Sequence, residues 1–261
     1  KLSIGYLGQT GAWKLPVLAG TIAAPLMRPD GSLLTTPGFD EATSLFLVTD
    51  DDYGLPESAM KEDAERALKV LREPFAEFPW AGASESVFIA AILTAIQRRV
   101  LGACPIFAFT APTMRSGKSL LAECVSLIST DVTPAASSYP PQPDEMRKTL
   151  GALLRAGPAF VFFDNIDCVV KSADIAMAVT QDPWSSRDLG LTKNLTLRTN
   201  LTWLFTGNNL TFAGDLTARV LMCEINAERE DPECRTFKID SLKNYIKKNR
   251  CTLIGAALTV L

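Results

Sequence analysis

The segment between residues 106 and 123 constrains the fold more than any other part of the chain. An apolar run, Ile106–Thr110, leads through a loop into Gly117-Lys118-Ser119, and a helical pattern starts at Leu120. A loop of this kind turns backbone N–H groups toward one point, and the helix N-terminus adds positive potential there. Glycine lets the backbone approach an anion closely, lysine can reach the outer phosphates of a nucleotide, and the serine hydroxyl can bind Mg²⁺. The segment therefore predicts a phosphate-binding loop.

The loop differs at one position from the pattern Gly-x-x-x-x-Gly-Lys-Ser/Thr. Pro112 stands where the pattern has its first glycine, so a chance Ser-Gly-Lys-Ser loop at the start of a helix is the alternative interpretation. The strand before the loop and the helix after it favour a nucleotide site, because the motif needs both. We expect the phosphates of ATP to be held by residues of this loop, namely Thr113, Arg115, Ser116, Gly117, Lys118 and Ser119.

A second strand pattern ends in an acidic residue. The apolar run Phe160–Phe163 is followed by Asp164 and Asn165. A carboxylate at this place in a nucleotide-binding protein holds Mg²⁺, often through water, so we predict a Mg²⁺ site formed by Ser119 and Asp164. An aspartate that only caps the end of a strand is the alternative. Asn165 can position a water molecule but cannot accept its proton, so it bears on the rate of hydrolysis more than on ATP binding.

Two further polar positions lie next to later strand patterns. Asn208 follows the run Leu201–Thr206, where it can contact the γ-phosphate or the attacking water, although an ordinary Gly-Asn turn would give the same sequence. Arg219 directly precedes the run Val220–Ile225. An arginine there can reach the ATP of a neighbouring subunit and stabilise transition-state charge, whereas a solvated cation at a helix end is the alternative.

Apolar runs alternate with helical patterns between residues 104 and 226, which predicts an α/β fold with a parallel sheet flanked by helices. We divide the chain into a β-rich N-terminal flank (1–57), a helical lead-in (58–102), an ATPase core (103–227) and the start of a C-terminal helical region (228–261). In the flank, Pro29-Asp30-Gly31 predicts a hairpin from Leu26 to Leu34. The chain starts with Lys1 and stops inside an apolar run, so we expect it to be a fragment of a longer protein.

Composition excludes several classes of function. The 261 residues contain no histidine, which removes His-based acid–base catalysis, and six cysteines without a Cys-x-x-Cys pair, which argues against structural zinc. A net charge of −3 gives no bulk basic field, so any DNA contact must come from a few local cations. The longest apolar run, Val87–Ile96, is about half of a membrane span. Without a signal peptide or a disulfide framework, the cytoplasm is the expected location.

The order of four motifs adds a resemblance. Gly-Lys-Ser, Phe-Phe-Asp-Asn, Thr-Gly-Asn-Asn and Gly-Asp-Leu-x-x-Arg together resemble the helicase part of phage and plasmid primase-helicases, which are AAA+ ATPases akin to superfamily III helicases. The likeness extends to Ser186–Gly190, to Asp231–Phe237 and to the Pro29–Asp40 stretch. It implies a P-loop NTPase fold of the AAA+ kind, ATP and Mg²⁺ as cofactors, and a homo-oligomeric ring, expected to be a hexamer. It also implies single-stranded DNA as partner and a primase or origin-binding part outside this sequence.

The resemblance also assigns roles, and the chain departs from the family at two of them. The catalytic set that it implies is Lys118, Asp164, Asn165, Asn208 and Arg219. Relatives usually have glutamate where this chain has Asn165, and often a second arginine where it has Ala218. The intersubunit role therefore rests on Arg219 alone.

In such helicases a hairpin before the third strand contacts DNA in the channel of the ring. Lys193 lies in the corresponding segment and is the candidate DNA-binding residue, with Arg187 and Arg198 as weaker ones. A solvated loop lysine is the alternative interpretation. The basic run Lys243–Arg250 is interpreted as the solvated face of a helix.

Three functions remain open from the sequence. The first is an ATP-driven DNA helicase or translocase of phage or plasmid replication. The second is a replication-initiator or assembly module that binds ATP and oligomerises on DNA with little hydrolysis, which Pro112 and Asn165 favour. The third is a P-loop kinase that acts on a small molecule, although no segment suggests an acceptor pocket or a lid.

Overall fold

The N-terminal flank is a set of short strands. The computed structural model describes residues 16–187, 194–226 and 238–261. The first strands are β1 (Gly20–Ile22), β2 (Leu26–Met27), β3 (Leu33–Leu34), β4 (Gly38–Asp40) and β5 (Leu45–Leu47). β2 and β3 form the expected hairpin, in which Leu26 pairs with Leu34, while β5 pairs in parallel with β1 and antiparallel with β4.

Helices and strands then alternate through the rest of the chain. They are α1 (Lys61–Arg72), α2 (Ser84–Gln97), β6 (Ile106–Ala111), α3 (Lys118–Thr130), β7 (Ala136–Ser137), α4 (Pro143–Ala156), β8 (Phe160–Ile166), α5 (Ala173–Ala178), β9 (Trp184–Arg187), β10 (Asn194–Leu197), β11 (Thr202–Asn208), β12 (Val220–Glu224), α6 (Leu242–Lys248) and α7 (Arg250–Val260). Short 3-10 helices cover Glu73–Phe75, where Pro74 stops α1, and Gly214–Ala218. None of the helices in this described part of the chain has the length and apolar character that crossing a membrane requires.

Five parallel strands form the central sheet, in the order β12-β6-β11-β8-β7. The four apolar runs became β6, β8, β11 and β12, which confirms the α/β fold with a parallel sheet and a β-rich flank. Because all five strands run in one direction, their carboxyl ends open at the same edge of the sheet, and this edge is where ligands bind in open α/β sheets.

Alternate residues of the strands pack into two apolar cores, one on each face of the sheet. Phe107 and Phe109 pack on the side of α2, α3 and α7, whereas Ile106 and Ala108 pack on the side of α4 and α5. This period of two follows from the pleat of a strand, and burial on both faces explains why the runs are almost continuously apolar. The first core also includes residues of the N-terminal flank and of the last helix, so the segments outside 103–227 contribute to the same interior.

Arg250 corrects the interpretation of the basic run near the C-terminus. Its side chain is only 9% exposed, at the start of α7, and donates to the backbone carbonyls of Ile128, Ser129 and Ala23. The first two carbonyls belong to the last turn of α3, where a cation also interacts favourably with the helix dipole. Lys247 and Lys248 are exposed as expected, but the run is divided between two helices rather than lying on one solvated face.

Gly255 sits where α7 crosses close to the segment before α1. A Cβ atom added there would lie 2.0 Å from the carbonyl oxygen of Tyr53. We expect Gly255→Ala to lower the free energy of unfolding by about 1–3 kcal/mol, because the backbone must shift to relieve the overlap. Chemical denaturation followed by circular dichroism measures this. Gly151→Ala is the matched control, since Gly151 lies in α4 with open space around it, and its substitution should be neutral or stabilising. Equal effects of the two substitutions would contradict the assignment.

Candidate nucleotide-binding site

The loop between β6 and α3 has the backbone that close approach to an anion requires. Gly117 adopts φ 95° directly before α3, and Arg115 adopts φ 55°. A Cβ atom on Gly117 would lie 3.0 Å from Cε1 of Phe78. Both the positive φ and this contact make glycine the residue of choice here. The loop therefore ends at the N-terminus of a 13-residue helix. The helix dipole and the free N–H groups give this end a positive potential.

Lys118 places its ammonium group inside this loop. The residue is 8% exposed, and its Nζ donates to the carbonyl of Thr113 at 2.9 Å and to Oγ of Ser116 at 3.0 Å. Burial lowers the pKa of this amine, while the nearby Asp164 carboxylate opposes that change. Burial of a cation in a cleft is costly unless an anion compensates it, so this position suits a group with negative charge.

Asp164 connects the loop to the neighbouring strands. Its Oδ1 accepts a hydrogen bond from the hydroxyl of Ser119 at 2.7 Å and a second one from the hydroxyl of Thr206. The first residue of α3 after Lys118, the end of β8 and the end of β11 thus meet at one carboxylate. Hydroxyl and carboxylate oxygens are the ligands that Mg²⁺ prefers, so Ser119 and Asp164 fit the predicted metal site.

A β-bulge sets the direction of the two residues at the end of β8. Phe163 pairs with Phe205 and Ile166 with Gly207, so Asp164 and Asn165 together face the single residue Thr206. Asn165 adopts φ 53°, a left-handed conformation that asparagine tolerates better than most residues. Its backbone N–H donates to Oγ1 of Thr206 at 3.0 Å. Bulges often re-aim side chains next to functional sites, and here the bulge turns Asn165 toward the cleft that it lines.

Thr206 is a site residue that the sequence analysis did not single out. It is 1% exposed, lines the cleft and holds both Asp164 and the backbone of Asn165. A polar residue inside an otherwise apolar strand was the signal that could have identified it, because buried hydroxyls need partners.

Asn208 completes the cleft from the end of β11. Its Oδ1 atom is buried and has no hydrogen-bond partner among the described residues. Such an atom indicates a missing partner, since buried polar groups are nearly always paired. The cleft has a volume of about 370 Å³ and is lined by loop residues and strand-end residues, namely Met114, Arg115, Ser116, Gly117, Lys118, Ser119, Leu120, Asn165, Thr206 and Asn208. Thr113 is not among them, and contributes through its carbonyl to Lys118.

Arg219 lies at the other edge of the sheet. Its carbonyl accepts from the N–H of Ile106 at 2.9 Å, at the start of β6, whereas the cleft lies at the far end of that strand. Six residues of strand separate the two by roughly 17 Å. The guanidinium is 31% exposed and lies 3.7 Å from Asp215. Arg219 is therefore remote from the cleft of its own chain.

The predicted DNA contacts are only partly visible. Lys193 lies outside the described residues, and so does the side chain of Arg187. Arg198 follows β10 and forms an exposed ion pair with Asp182 at 3.0 Å. β9 and β10 pair antiparallel.

Comparisons with known proteins bear on the fold. No protein-family model matches the chain, and no curated protein matches its sequence. A solved structure of the NrS-1 C-terminal region is similar with a TM-score of 0.50 and 15% sequence identity, over 100% of this chain and 58% of that one. A solved structure of JCV helicase has a TM-score of 0.37 and 13% identity, over 77% of this chain and 61% of that one, which is too low to carry an argument. The chain thus spans less than two thirds of these structures, and at such identity its likeness to the NrS-1 C-terminal region is a likeness of fold.

Proposed function

We propose that the chain is the ATPase part of a DNA helicase or translocase that acts in replication of a phage or plasmid as an oligomeric ring. One observation carries the proposal: Lys118 and Ser119 line one cleft at the carboxyl edge of the parallel sheet, and the hydroxyl of Ser119 donates to the Asp164 carboxylate. A buried cation beside two hard oxygen ligands is the combination that Mg²⁺–triphosphate needs.

Each residue of the cleft has a role in ATP binding and hydrolysis. The loop amides and Lys118 would hold the β- and γ-phosphates, and Ser119 and Asp164 would hold Mg²⁺, which neutralises charge on the phosphate oxygens when bound. Asn208 and Asn165 would orient the attacking water. Apart from Asp164, the described residues around the cleft offer no carboxylate that can accept the proton of that water, so hydrolysis should be slow without an activating partner.

A second cavity supports a nucleotide rather than phosphate alone. It has a volume of about 100 Å³ and borders the cleft, because Leu120 lines both. Phe78, Pro74 and Leu242 provide apolar surface, and Glu77 and Asp240 each add a carboxylate. A flat base with an exocyclic amino group fits such walls, since the rings bury apolar area while the amino group donates to a carboxylate.

The position of Arg219 is an argument for assembly into a ring. It is too far from its own cleft to contact a nucleotide there, but it lies near the opposite edge of the sheet. A neighbouring copy would have to supply the arginine for each cleft, as an arginine finger does in trans. DNA would contact the β9–β10 hairpin, for which Lys193 is the proposed residue.

The alternative is an assembly or initiator module that binds ATP and scarcely hydrolyses it. Asn165 favours it, because an amide cannot accept a proton. Its left-handed backbone also makes glutamate unfavourable at this position, by roughly 1–2 kcal/mol.

Lys118→Ala should remove Mg²⁺-dependent ATP hydrolysis, with a loss of at least about 10²-fold, because the charge that holds the outer phosphates is deleted. The proposal further expects single-stranded DNA to raise the hydrolysis of the unmodified protein. A phosphate-release assay with and without DNA measures both effects. Lys148→Ala is the control, since Lys148 lies exposed on α4 and pairs with Glu145. Undiminished turnover in Lys118→Ala would overturn the proposed site.

Arg219→Ala should also be inactive, and mixing it with Lys118→Ala should restore part of the activity. In a mixed ring some clefts combine an intact Lys118 with an intact Arg219 from the neighbour. Hydrolysis by each variant alone and by mixtures at several ratios measures this. If mixtures stay as inactive as the separate variants, or if Arg219→Ala is fully active, the shared site is wrong.

Asn165→Asp separates the helicase from the assembly module. Aspartate tolerates the left-handed backbone and brings a carboxylate to the cleft. If the protein is an assembly module, the substitution should raise a negligible turnover several-fold. If it is a helicase, the unmodified protein should already hydrolyse ATP when DNA is present. Size-exclusion chromatography with ATP provides the parallel readout of assembly.

A further inference from the structure

A second polar cavity lies at the edge of the sheet opposite the nucleotide cleft. It has a volume of about 250 Å³ and is enclosed by the N-terminal flank, the ends of α2 and α3, and the residues that precede β8 and β11. Two arginines, Arg98 and Arg99, line it, together with polar residues such as Asn200, and no aspartate or glutamate is found among its described lining residues. Two positive charges thus share a cavity without an acid.

Arg98 is satisfied by the protein itself. It is 3% exposed, and its guanidinium donates to four backbone carbonyls, those of Leu201, Leu101, Gly102 and Thr199, at 2.7–2.9 Å. These bonds use four of the five N–H donors of the group but do not neutralise its charge, because carbonyls are only dipoles. Its positive potential therefore persists in the cavity.

Arg99 has N–H groups that lack partners in the described part of the chain. Only its Nη1 is engaged, in two long contacts with the carbonyl and Oδ1 of Asn200 at 3.4 and 3.3 Å. Its Nε and Nη2 donate to no acceptor among residues 16–187, 194–226 and 238–261, and the same holds for Nδ2 of Asn200. Burial lowers the pKa of Arg99, and the neighbouring Arg98 lowers it further.

The free edge of Arg99 has the geometry that recognises oxyanions. Nε and Nη2 are parallel donors in one plane, which bind two oxygens of a phosphate or carboxylate at once. A partly buried, unpaired cation next to a second cation is costly, and an anion would remove that cost. A phosphate presents paired oxygens of this kind both as the free ion and as the singly charged diester of a nucleic-acid backbone.

We propose that this cavity, which we call the Arg99 cavity, binds a phosphate group through the Nε–Nη2 edge of Arg99, with the Nδ2 amide of Asn200 as a further donor. The phosphate comes either from solution or from the backbone of a nucleic acid. The proposal is independent of the nucleotide cleft, which lies at the other edge of the sheet, and it stands or falls separately from the proposed ATPase.

The test observes the Nε–Hε signal of Arg99 in ¹H–¹⁵N NMR spectra of the unmodified protein. This signal reports the free edge directly, so phosphate that binds in the nucleotide cleft does not interfere. It is titrated with sodium phosphate, with a short single-stranded DNA, and with sodium chloride at matched ionic strength. A saturable shift with phosphate or with DNA, absent with chloride, is expected. A shift with DNA alone assigns the site to a nucleic-acid backbone, and a shift with inorganic phosphate assigns it to a free ion.

Two variants complete the test. Arg99→Gln should weaken binding of the shifting ligand, measured by calorimetry, about tenfold, the loss typical of a charged hydrogen bond. Arg99→Lys keeps the charge but loses the paired donors, so it should also weaken binding and serves if the glutamine variant does not fold. Arg147→Gln, an exposed arginine paired with Asp174, should change nothing. The proposal is overturned if the Arg99 signal responds to phosphate and DNA no more than to chloride.

Discussion

The Asp164 carboxylate is the point on which the arrangement of the site depends. One of its oxygens accepts hydroxyl hydrogen bonds from α3 and from β11, and the residue itself lies near the end of β8. These three elements are distant in sequence, and one anionic acceptor fixes their separation. Hydrogen bonds to a charged acceptor are about twice as strong as neutral ones, so the protein itself holds in place the oxygens that we propose to bind Mg²⁺.

Several features of the fold could be read from the sequence because local pattern determines them. The inner strands β6, β8 and β11 are largely apolar, since both of their faces are buried, and the Pro29-Asp30-Gly31 turn indicated the β2–β3 hairpin. The loop residues around Gly117 follow from a motif whose chemistry is local. Parallel strands then bring Asp164 and Asn208 to the same edge as Lys118 without further information.

Other features depend on contacts between distant parts of the chain, and no local pattern encodes them. The bulge at Asn165 forms where two residues of β8, Asp164 and Asn165, face the single residue Thr206 of β11. Phe78, which lies almost forty residues before Gly117 in the sequence, restricts the space for a side chain at that position. The sequence suggested that Arg250 is a solvated cation. Its side chain instead donates to carbonyls at the end of α3, because α7 packs against that helix. Such roles become visible only when the partners are known in space, and this is also why the Arg99 cavity left no trace in the sequence.

The positions of Arg219 and Lys118 at opposite edges of one sheet restrict the symmetry of any assembly that shares its sites. In a two-fold dimer the sharing is reciprocal, so one interface would have to bring the Arg219 of each copy to the cleft of the other and complete both sites together. A heterologous contact, in which one face of a copy meets a different face of the next, completes one site at each contact instead. Such a contact leaves an unmatched half at each end of every open oligomer, and closing the circle is the one way to remove both ends.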